Sequence, residues 1–217
     1  MVTAHTRRIM KTLIVSDIHE RLHVLEALEP KMASADRVVF LGDFWDTWEP
    51  AGLQRDIALW LKPKLHDPKF TMLWGNHDTS YAFDHLAFRC SGYREDTKLI
   101  LDHTFSEKDW MQFKVFTWVG PFVVSHAGFH PFTIDLMAKA EEALESAFTG
   151  GYHELWGQMG PTWLRWWDMM KTDFNQIVGH TPNEDIRAAA GNYCIDTHNA
   201  HIAWVDEDSG SITIEKL

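Results

Sequence analysis

Five short clusters of polar residues hold the side chains that are best suited to chemistry in this 217-residue chain. They combine carboxylate, amide and imidazole groups, which are ligands that divalent transition metals take in proteins. In chain order the clusters are Asp17-Ile-His19, Gly42-Asp43-Phe-Trp-Asp46, Gly75-Asn76-His77-Asp78, the single histidine of Ser125-His126-Ala127-Gly128, and Gly179-His180-Thr181.

Each cluster directly follows a short apolar run of the kind that forms a buried strand. These runs are Thr12–Ser16, Val38–Leu41, Thr71–Trp74, Phe122–Val124 and Gln176–Val178. Open α/β sheets gather their active sites at the carboxyl ends of strands. One such cluster alone is typical of a turn or a helix N-cap. Five in one order predict a metal site, because turns do not call for this set of histidines.

Composition favours one domain outside the membrane. Hydrophobic residues make up 45 % of the chain, enough for a full core, and no apolar run reaches the length of a membrane span. We expect a short tail over residues 1–10 and a single domain over residues 11–217. Cys90 and Cys194 are the only cysteines, so we expect a cytoplasmic protein without a disulfide framework. The net charge of −11 disfavours duplex nucleic acid as a partner. The oligomeric state does not follow from the sequence.

Strand-like and helix-like segments alternate in the first half of the chain, and strands dominate its end. Apolar spacing predicts helices over Glu20–Glu29, where Pro30 should end or kink the helix, over Leu53–Leu65 with an interruption at Pro63, and over Ile134–Phe148. A hairpin is predicted across Gly120-Pro121, and strands at Tyr193–Ile195, Ile202–Val205 and Ser211–Ile214. This order favours two mixed sheets packed together with helices outside.

The whole set of clusters resembles the calcineurin-like metallophosphoesterases. That family is marked by D-x-H, G-D-x-x-D, G-N-H-[DE], a lone His and G-H in this order, and the resemblance runs from Asp17 to Thr197. Two details, Gly179-His180-Thr181-Pro182 and Trp163-Leu-Arg165, are similar to the phosphoprotein-phosphatase branch and its small bacterial and phage members. The resemblance implies an α/β fold, a four-layer αββα sandwich of two mixed β-sheets flanked by helices.

The resemblance also implies a centre for two divalent metal ions. The first would be held by Asp17, His19 and Asp43, and the second by Asp43, Asn76, His126 and His180, with Asp43 bridging. A bridging carboxylate can hold two cations at the usual spacing of about 3.5–4 Å. Mixed imidazole and carboxylate ligands suit Mn, Fe or Zn better than Ca or Mg, which prefer all-oxygen ligands, and we expect Mn²⁺, with Fe or Zn as the alternatives.

The implied mechanism is in-line attack on phosphorus by a hydroxide that bridges the two cations. His77 would protonate the leaving-group oxygen, and Asp78 would orient the ring of His77. Arg165 would bind the phosphoryl oxygens as a bidentate fork. The alternative for Arg165 is a surface arginine stacked on the neighbouring tryptophans. Asp46 is expected to act only as a hydrogen-bond acceptor behind the ligands.

Several positions depart from the family pattern. Thr47-Trp48 stands where an Arg-Gly pair is common, so one phosphate-binding arginine is missing, and Arg94 is a candidate to replace it. Glu20 and His198 stand where glycine is frequent. Trp45 and Trp48 flank a metal-site loop and are candidates for an aromatic wall around a base or aryl group.

These observations predict an enzyme that hydrolyses phosphate monoesters, either a small-molecule or nucleotide phosphatase or a protein phosphatase. One alternative is a phosphodiesterase or nuclease that uses the same site. Another is a non-catalytic metal-binding interaction module. The intact Asn76-His77-Asp78 cluster argues against the module, because a module would have no reason to retain a proton donor and its partner.

Overall fold

Two mixed sheets of five strands each form the centre of the computed structural model, which describes residues 10–47 and 52–217. The first sheet has the order β10-β9-β1-β2-β3, with β1 at Lys11–Val15, β2 at Arg37–Phe40, β3 at Phe70–Met72, β9 at His201–Asp206 and β10 at Ile212–Lys216. The second has the order β4-β5-β6-β8-β7, with β4 at Phe116–Val119, β5 at Phe122–Ser125, β6 at Asn175–Val178, β7 at Arg187–Ala189 and β8 at Asn192–Cys194.

Each sheet contains three neighbouring parallel strands. In the first sheet β2 pairs in parallel with both β1 and β3, and in the second β6 pairs in parallel with both β5 and β8. The remaining strands, β4, β7, β9 and β10, pair antiparallel. Loops that follow the parallel strands of one sheet therefore collect at one edge of that sheet, where polar side chains can meet.

Strand alternation gives both faces of each sheet an apolar surface. On β1 and β2, Ile14 and Val39 belong to the core between the sheets, together with Val124 and Ile177 of the second sheet. Their sequence neighbours Leu13, Val15, Val38 and Phe40 belong instead to the outer core beneath the helices. Because side chains alternate with period two, a strand that is apolar throughout is buried on both faces. The predicted four-layer architecture of two mixed sheets flanked by helices is confirmed.

Six α-helices are present in the described part of the chain: α1 at Leu22–Ser34, α2 at Gln54–Leu61, α3 at Asn76–Ala82, α4 at Glu95–Thr104, α5 at Glu107–Trp110 and α6 at Ala140–Phe148. Short 3-10 segments lie at Lys62–His66, Leu86–Phe88, Pro131–Lys139, Glu154–Trp156 and Trp166–Asp168. None of these helices is long and apolar enough to cross a bilayer. The tail predicted over residues 1–10 lies almost entirely outside the described residues, and the single domain over residues 11–217 stays a prediction.

Helix α1 does not end at Pro30, which was one of the two outcomes expected there. The helix continues to Ser34, and its buried face runs through Val24, Leu25, Leu28 and Met32 on both sides of the proline. Burial of Met32 on that same face outweighs the one backbone hydrogen bond that proline removes.

Five other segments differ from expectation. The helix predicted over Ile134–Phe148 is α-helical only from Ala140, because Pro131–Lys139 forms a 3-10 segment that begins with a proline. The edge strand β7 and the helices α3, α4 and α5 had no clear sequence signal. Helices α3 and α5 span only seven and four residues, which gives too few turns for a periodic pattern to emerge.

Helix α2 offers a matched test of the outer core. Leu61 is fully buried, whereas Leu59 is 54 % exposed on the same helix. We expect Leu61→Ala to lower the free energy of unfolding by about 2–5 kcal/mol, the usual range for a buried leucine. Leu59→Ala should change it by no more than about 0.5 kcal/mol. Urea denaturation followed by circular dichroism measures both, and equal losses in the two variants would contradict the assignment of Leu61 to the core.

Candidate active site

All six parallel strands end at one cleft, and each supplies it with a polar side chain. Asp17, Asp43 and Asn76 follow the three strands of the first sheet, and His126, His180 and Asp196 follow those of the second. The cleft has a volume of about 300 Å³, and five of the six residues line it, with His126 fully buried. Asp196 was missed by sequence reasoning, although it stands after its strand in the same way as the other five.

Asp43 lies at the centre of this arrangement. Its carboxylate forms one group of closely spaced donor atoms with Asp17 and His19, and a second such group with His126 and His180. Asp43 Oδ2 lies 3.3 Å from His126 Nε2 and 3.9 Å from His19 Nε2. Two groups of potential ligands that share one carboxylate are what a bridged pair of cations requires.

Asn76 completes the second group. Its Oδ1 lies 3.1 Å from His126 Nε2, and His126 Nε2 lies 3.1 Å from Nδ1 of His180. The structure thus brings together all six residues predicted as metal ligands, while their roles as ligands stay predictions.

The orientation of two imidazoles fits a cation at this position. Nδ1 of His126 donates to the carbonyl of Leu41 at 3.0 Å, and Nδ1 of His19 lies 2.8 Å from the carbonyl of Asp46. A carbonyl can only accept, so Nδ1 carries a proton in both rings, and whenever a ring is neutral it is Nε2 that holds the lone pair available to a cation. Lone pairs that converge with carboxylate and amide oxygens repel each other unless a cation or proton lies between them.

The pKa values in the cluster reflect this crowding. Burial disfavours ionisation of Asp43, but His126, His77 and His19 outweigh it and hold the Asp43 pKa below its usual range. Burial would lower the pKa of His126, yet Asp43 and Asp17 raise it to about 9. Burial and then the charge of Asp17 raise the pKa of Asp196. Carboxylates grouped this closely attract positive charge, which bound cations would supply.

The backbone at the cluster adopts conformations that are unfavourable for most residues. Asp43 has a φ of 52° and His180 a φ of 63°, both in the left-handed region. Such residues cost about 1–3 kcal/mol each and persist where the surrounding structure determines them. Close packing also requires glycine before two of the ligands, because a Cβ at Gly75 would lie 2.1 Å from Asp43 Oδ1 and one at Gly179 2.3 Å from Asp17 Oδ2.

Left-handed backbone conformations also occur at Glu20 and His198, the two positions where the family pattern often has glycine. Glu20 has a φ of 61° and His198 a φ of 54°, so both residues occupy backbone conformations that favour glycine. Glu20 is buried, and its carboxylate accepts a hydrogen bond from the backbone N–H of Asp46 at 3.2 Å. This bond links the loop after β1 to the loop after β2.

His77 lies at the start of α3, and its ring is held by Asp46. Nδ1 of His77 is 2.8 Å from Oδ2 of Asp46, and the other oxygen of Asp46 accepts a hydrogen bond from the hydroxyl of Tyr81. Burial alone would lower the pKa of His77, but Asp43 and the bond to Asp46 raise it to about 11. His77 is therefore a charged donor that lines the cleft.

The predicted contact between Asp78 and the ring of His77 is wrong. The carboxylate of Asp78 instead accepts three backbone N–H bonds, from Asp43 at 2.7 Å, Phe44 at 2.9 Å and Gly75 at 3.0 Å. Consecutive residues of a helix point in different directions, so Asp78 faces the loop after β2 while His77 faces the cleft. Asp78 ties the loop after β2 to the start of α3.

Among residues 10–47 and 52–217, two arginines line the cleft, and only one of them was predicted. Arg165 Nη1 donates to the carbonyl of His180 at 3.0 Å, and Arg21 Nη1 donates to Oδ1 of Asn199 at 3.0 Å. Arg94 is not among the lining residues, because its guanidinium pairs with Asp96 at 2.8 Å. The position of Arg21 two residues after His19, in the loop that carries the first ligands, is the signal that sequence reasoning overlooked.

The predicted aromatic wall is also corrected. Trp45 is fully buried and packs against Phe44 and Phe105 in the core, so it does not face the cleft. Trp48 lies outside the described residues. Of the tryptophans that the structure describes, Trp163 lines the cleft, and its ring meets that of His180 edge to face at a centroid distance of 5.8 Å.

Solved structures with the same fold include several phosphatases. A cold-active protein-tyrosine phosphatase of a psychrophilic Shewanella species aligns with a TM-score of 0.67 and 16 % identity, over 95 % of this chain and 80 % of its own. A putative diadenosine tetraphosphatase aligns with a TM-score of 0.57 and 17 % identity, over 97 % of this chain and 95 % of its own. A protein serine/threonine phosphatase from Saccharomyces cerevisiae aligns with a TM-score of 0.56 and 15 % identity, over 98 % of this chain and 81 % of its own. These likenesses establish the fold.

Sequence comparison gives the family directly. No curated protein shows significant similarity to the chain. The profile of the calcineurin-like phosphoesterases, in contrast, matches residues 10–208 and so includes every cleft residue described above. The protein therefore belongs to the calcineurin-like phosphoesterase family and is a metal-dependent hydrolase.

Proposed function

We propose that this protein hydrolyses phosphate monoesters with two divalent metal ions. The observation that carries the proposal is that Asp43 belongs to two groups of donor atoms and lines the same cleft as His77 and two arginines. Bound cations would activate water and neutralise charge on the phosphoryl group. The mixture of imidazole, carboxylate and amide donors supports Mn²⁺, with Fe or Zn as the alternatives. The two free thiols support the reducing cytoplasm as its location.

His77 and Asp46 form the proposed proton-donating pair. The imidazolium of His77 lines the cleft, and Asp46 accepts the Nδ1 proton and keeps the ring oriented. A donor held in this way can protonate the leaving-group oxygen as the ester bond breaks. Asp78 contributes indirectly, because its bonds to the backbone of Asp43 and Gly75 hold the two loops together.

Arg165 and Arg21 form the proposed cradle for the phosphoryl oxygens. Arg165 donates Nη1–H to the carbonyl of His180, and Arg21 donates Nη1–H to Oδ1 of Asn199, so each guanidinium is restrained at the cleft that it lines. Thr47 stands where an arginine that binds phosphate is common in the family, and Arg21 takes over that role in this proposal. Two cationic side chains favour a doubly charged monoester over a singly charged diester.

The substrate class follows from the shape of the cleft. A volume of about 300 Å³ suits a phosphoryl group with a small organic group or a side chain attached. Trp163 supplies the aromatic surface that Trp45 does not, so an aryl phosphate or the phosphorylated side chain of a protein is the proposed substrate.

The bridging role of Asp43 is tested by metal content. We expect Asp43→Asn to lose both cations together, because both groups of ligands share this carboxylate. Metal analysis after chelation and reloading with Mn²⁺ measures the number of ions per chain. Asp56→Asn, the same change on the exposed face of α2, is the matched control and should retain full occupancy. Two bound ions in Asp43→Asn would show that the bridge is elsewhere.

The proton-donating role of His77 is tested by leaving-group dependence. His77→Ala should lower kcat for alkyl phosphates by about 10²–10⁴-fold and much less for p-nitrophenyl phosphate, since p-nitrophenolate needs no proton. Asp46→Asn should show the same selective loss with a smaller magnitude, because it removes the acceptor that orients the ring. His103→Ala, at an exposed position of α4, is the control. A uniform loss across leaving groups in His77→Ala would contradict the proposal.

The arginine cradle is tested together with the substrate class. Arg165→Ala and Arg21→Ala should each reduce kcat/KM for p-nitrophenyl phosphate by a free energy of about 1.5–3 kcal/mol, the usual loss for a charge-assisted hydrogen bond. Inhibition by inorganic phosphate should weaken in parallel. Arg94→Ala is the control, because its partner is Asp96.

The same assay separates monoesters from diesters. Wild-type enzyme with Mn²⁺ should have a higher kcat/KM for p-nitrophenyl phosphate than for its bis-ester, and the two arginine variants should narrow this difference. A higher kcat/KM for the bis-ester would favour a phosphodiesterase instead. Absence of any hydrolysis by the metal-loaded protein would favour the interaction module.

A further inference from the structure

A further group of potential metal-binding atoms is formed by Nδ1 of His77 with Asp46 and Cys90. The half-buried Cys90 follows the 3-10 segment Leu86–Phe88, and its Sγ lies 3.3 Å from Nδ1 of His77 and 4.0 Å from Oδ2 of Asp46. With the 2.8 Å between Nδ1 and Oδ2, these three atoms form a compact triangle. None of the three residues belongs to the set predicted to hold the two catalytic cations.

The triangle has nearly the dimensions of one face of a zinc site. Zinc bonds of about 2.0 Å to nitrogen or oxygen and 2.3 Å to sulfur, arranged tetrahedrally, place the ligand atoms about 3.3–3.5 Å apart. Of the three separations, 3.3 Å lies within this range, 2.8 Å lies below it and 4.0 Å lies above it, so small rotations of the side chains suffice. Thiolate, imidazole and carboxylate together are a donor set that zinc accepts and that Mn²⁺ does not favour.

Neighbouring side chains already orient two of the three donors. The hydroxyl of Tyr81 donates to Oδ1 of Asp46 and leaves Oδ2 for a ligand. The hydroxyl of Ser80 lies 3.0 Å from the sulfur of Cys90 and accepts the backbone N–H of the same residue at 3.2 Å. Partners of this kind fix ligand atoms in metal sites and reduce the entropy that binding must overcome.

We propose that Asp46, His77 and Cys90 form an inhibitory zinc site. Zinc displaces the proton from Nδ1 of His77 and the proton from the thiol of Cys90, and both protons go to solvent. Three protein ligands leave the fourth position to water. The ring then carries only its Nε2 proton and is no longer an imidazolium, so it is a poor acid. This inhibition rests on the proposed role of His77, whereas the binding of zinc does not.

The other cysteine provides a matched control. Cys194 is 1 % exposed, and its thiol donates to the carbonyls of Gly179 and Thr181 at 3.4 Å. Burial raises the pKa of Cys194 to about 12, which keeps it a thiol. The predicted ligands of the two catalytic cations include no sulfur. Any absorption from a metal–thiolate bond in the Mn²⁺-loaded protein must therefore come from Cys90 if the proposal holds.

Binding is tested by ultraviolet absorption with cadmium as a probe for zinc. Mn²⁺-loaded wild-type protein and Cys194→Ser should both develop the thiolate-to-cadmium charge-transfer band, saturating at one ion per chain. Cys90→Ser should not develop it, and zinc added first should suppress it in wild type. Persistence of the band in Cys90→Ser, or its absence in wild type, would overturn the site. The readout does not depend on catalysis, so it stands apart from the proposed function.

Inhibition is tested with the same three proteins, each compared with its own activity without zinc. Zinc should inhibit wild type and Cys194→Ser strongly on alkyl phosphates and weakly on p-nitrophenyl phosphate, because only the former need a proton from His77. In Cys90→Ser the inhibitory concentration should rise by more than about tenfold, as expected for the loss of one thiolate ligand. Equal inhibition in Cys90→Ser, or cadmium binding without zinc inhibition, would overturn the inhibitory role.

Discussion

The placement of one buried carboxylate, that of Asp43, is the constraint on which the rest of the site depends. It lies at the end of β2 with a left-handed backbone, accepts the backbone N–H of His77 at 2.9 Å, and contacts imidazoles from both sheets. A buried charge is tolerated only where opposite charges and hydrogen-bond donors compensate for lost hydration. Loops from four strand ends must therefore converge on Asp43, and the bonds of Asp78 to the backbone of Asp43 and Gly75 fix two of them.

The two-sheet architecture is what makes this convergence possible. Parallel strands place their carboxyl ends at one edge, and two such sheets packed face to face bring six ends to a common cleft. The apolar core between the sheets fixes their relative position, because alternating side chains such as Ile14 and Val124 interlock there. Left-handed residues and crowded carboxylates make the cleft locally unfavourable, and this extended core on both faces of each sheet supplies the stability that permits it.

Sequence reasoning succeeded where chemistry is tied to strand ends. The apolar runs before Asp17, Asp43 and Asn76 predicted strands, and a residue directly after a parallel strand can point only toward the common edge. That rule predicts that the five polar clusters meet at one place, whereas the four-layer fold and the six ligand residues were implied by the resemblance to the calcineurin-like metallophosphoesterases. Sequence reasoning failed where the direction of a side chain is set by a helix or a loop. Whether Asp46 or Asp78 holds His77, and whether Arg21 or Arg94 reaches the cleft, is decided by tertiary contacts with no local periodic signal.

The hydrogen bond between Asp46 and His77 both orients the proton donor and provides two of the ligands for the proposed zinc site. A proton donor needs a partner that fixes its ring, and a carboxylate beside an imidazole is an effective partner. A carboxylate and an imidazole are also two of the three protein ligands that a transition-metal site needs. The identity of a third neighbouring side chain therefore determines whether a metal can bind there. In this chain the third residue is Cys90, held by Ser80 of the helix that carries His77. A serine there would leave the hydrogen bond between Asp46 and His77 unchanged and remove the soft ligand, so the thiol adds sensitivity to zinc that orienting His77 does not require.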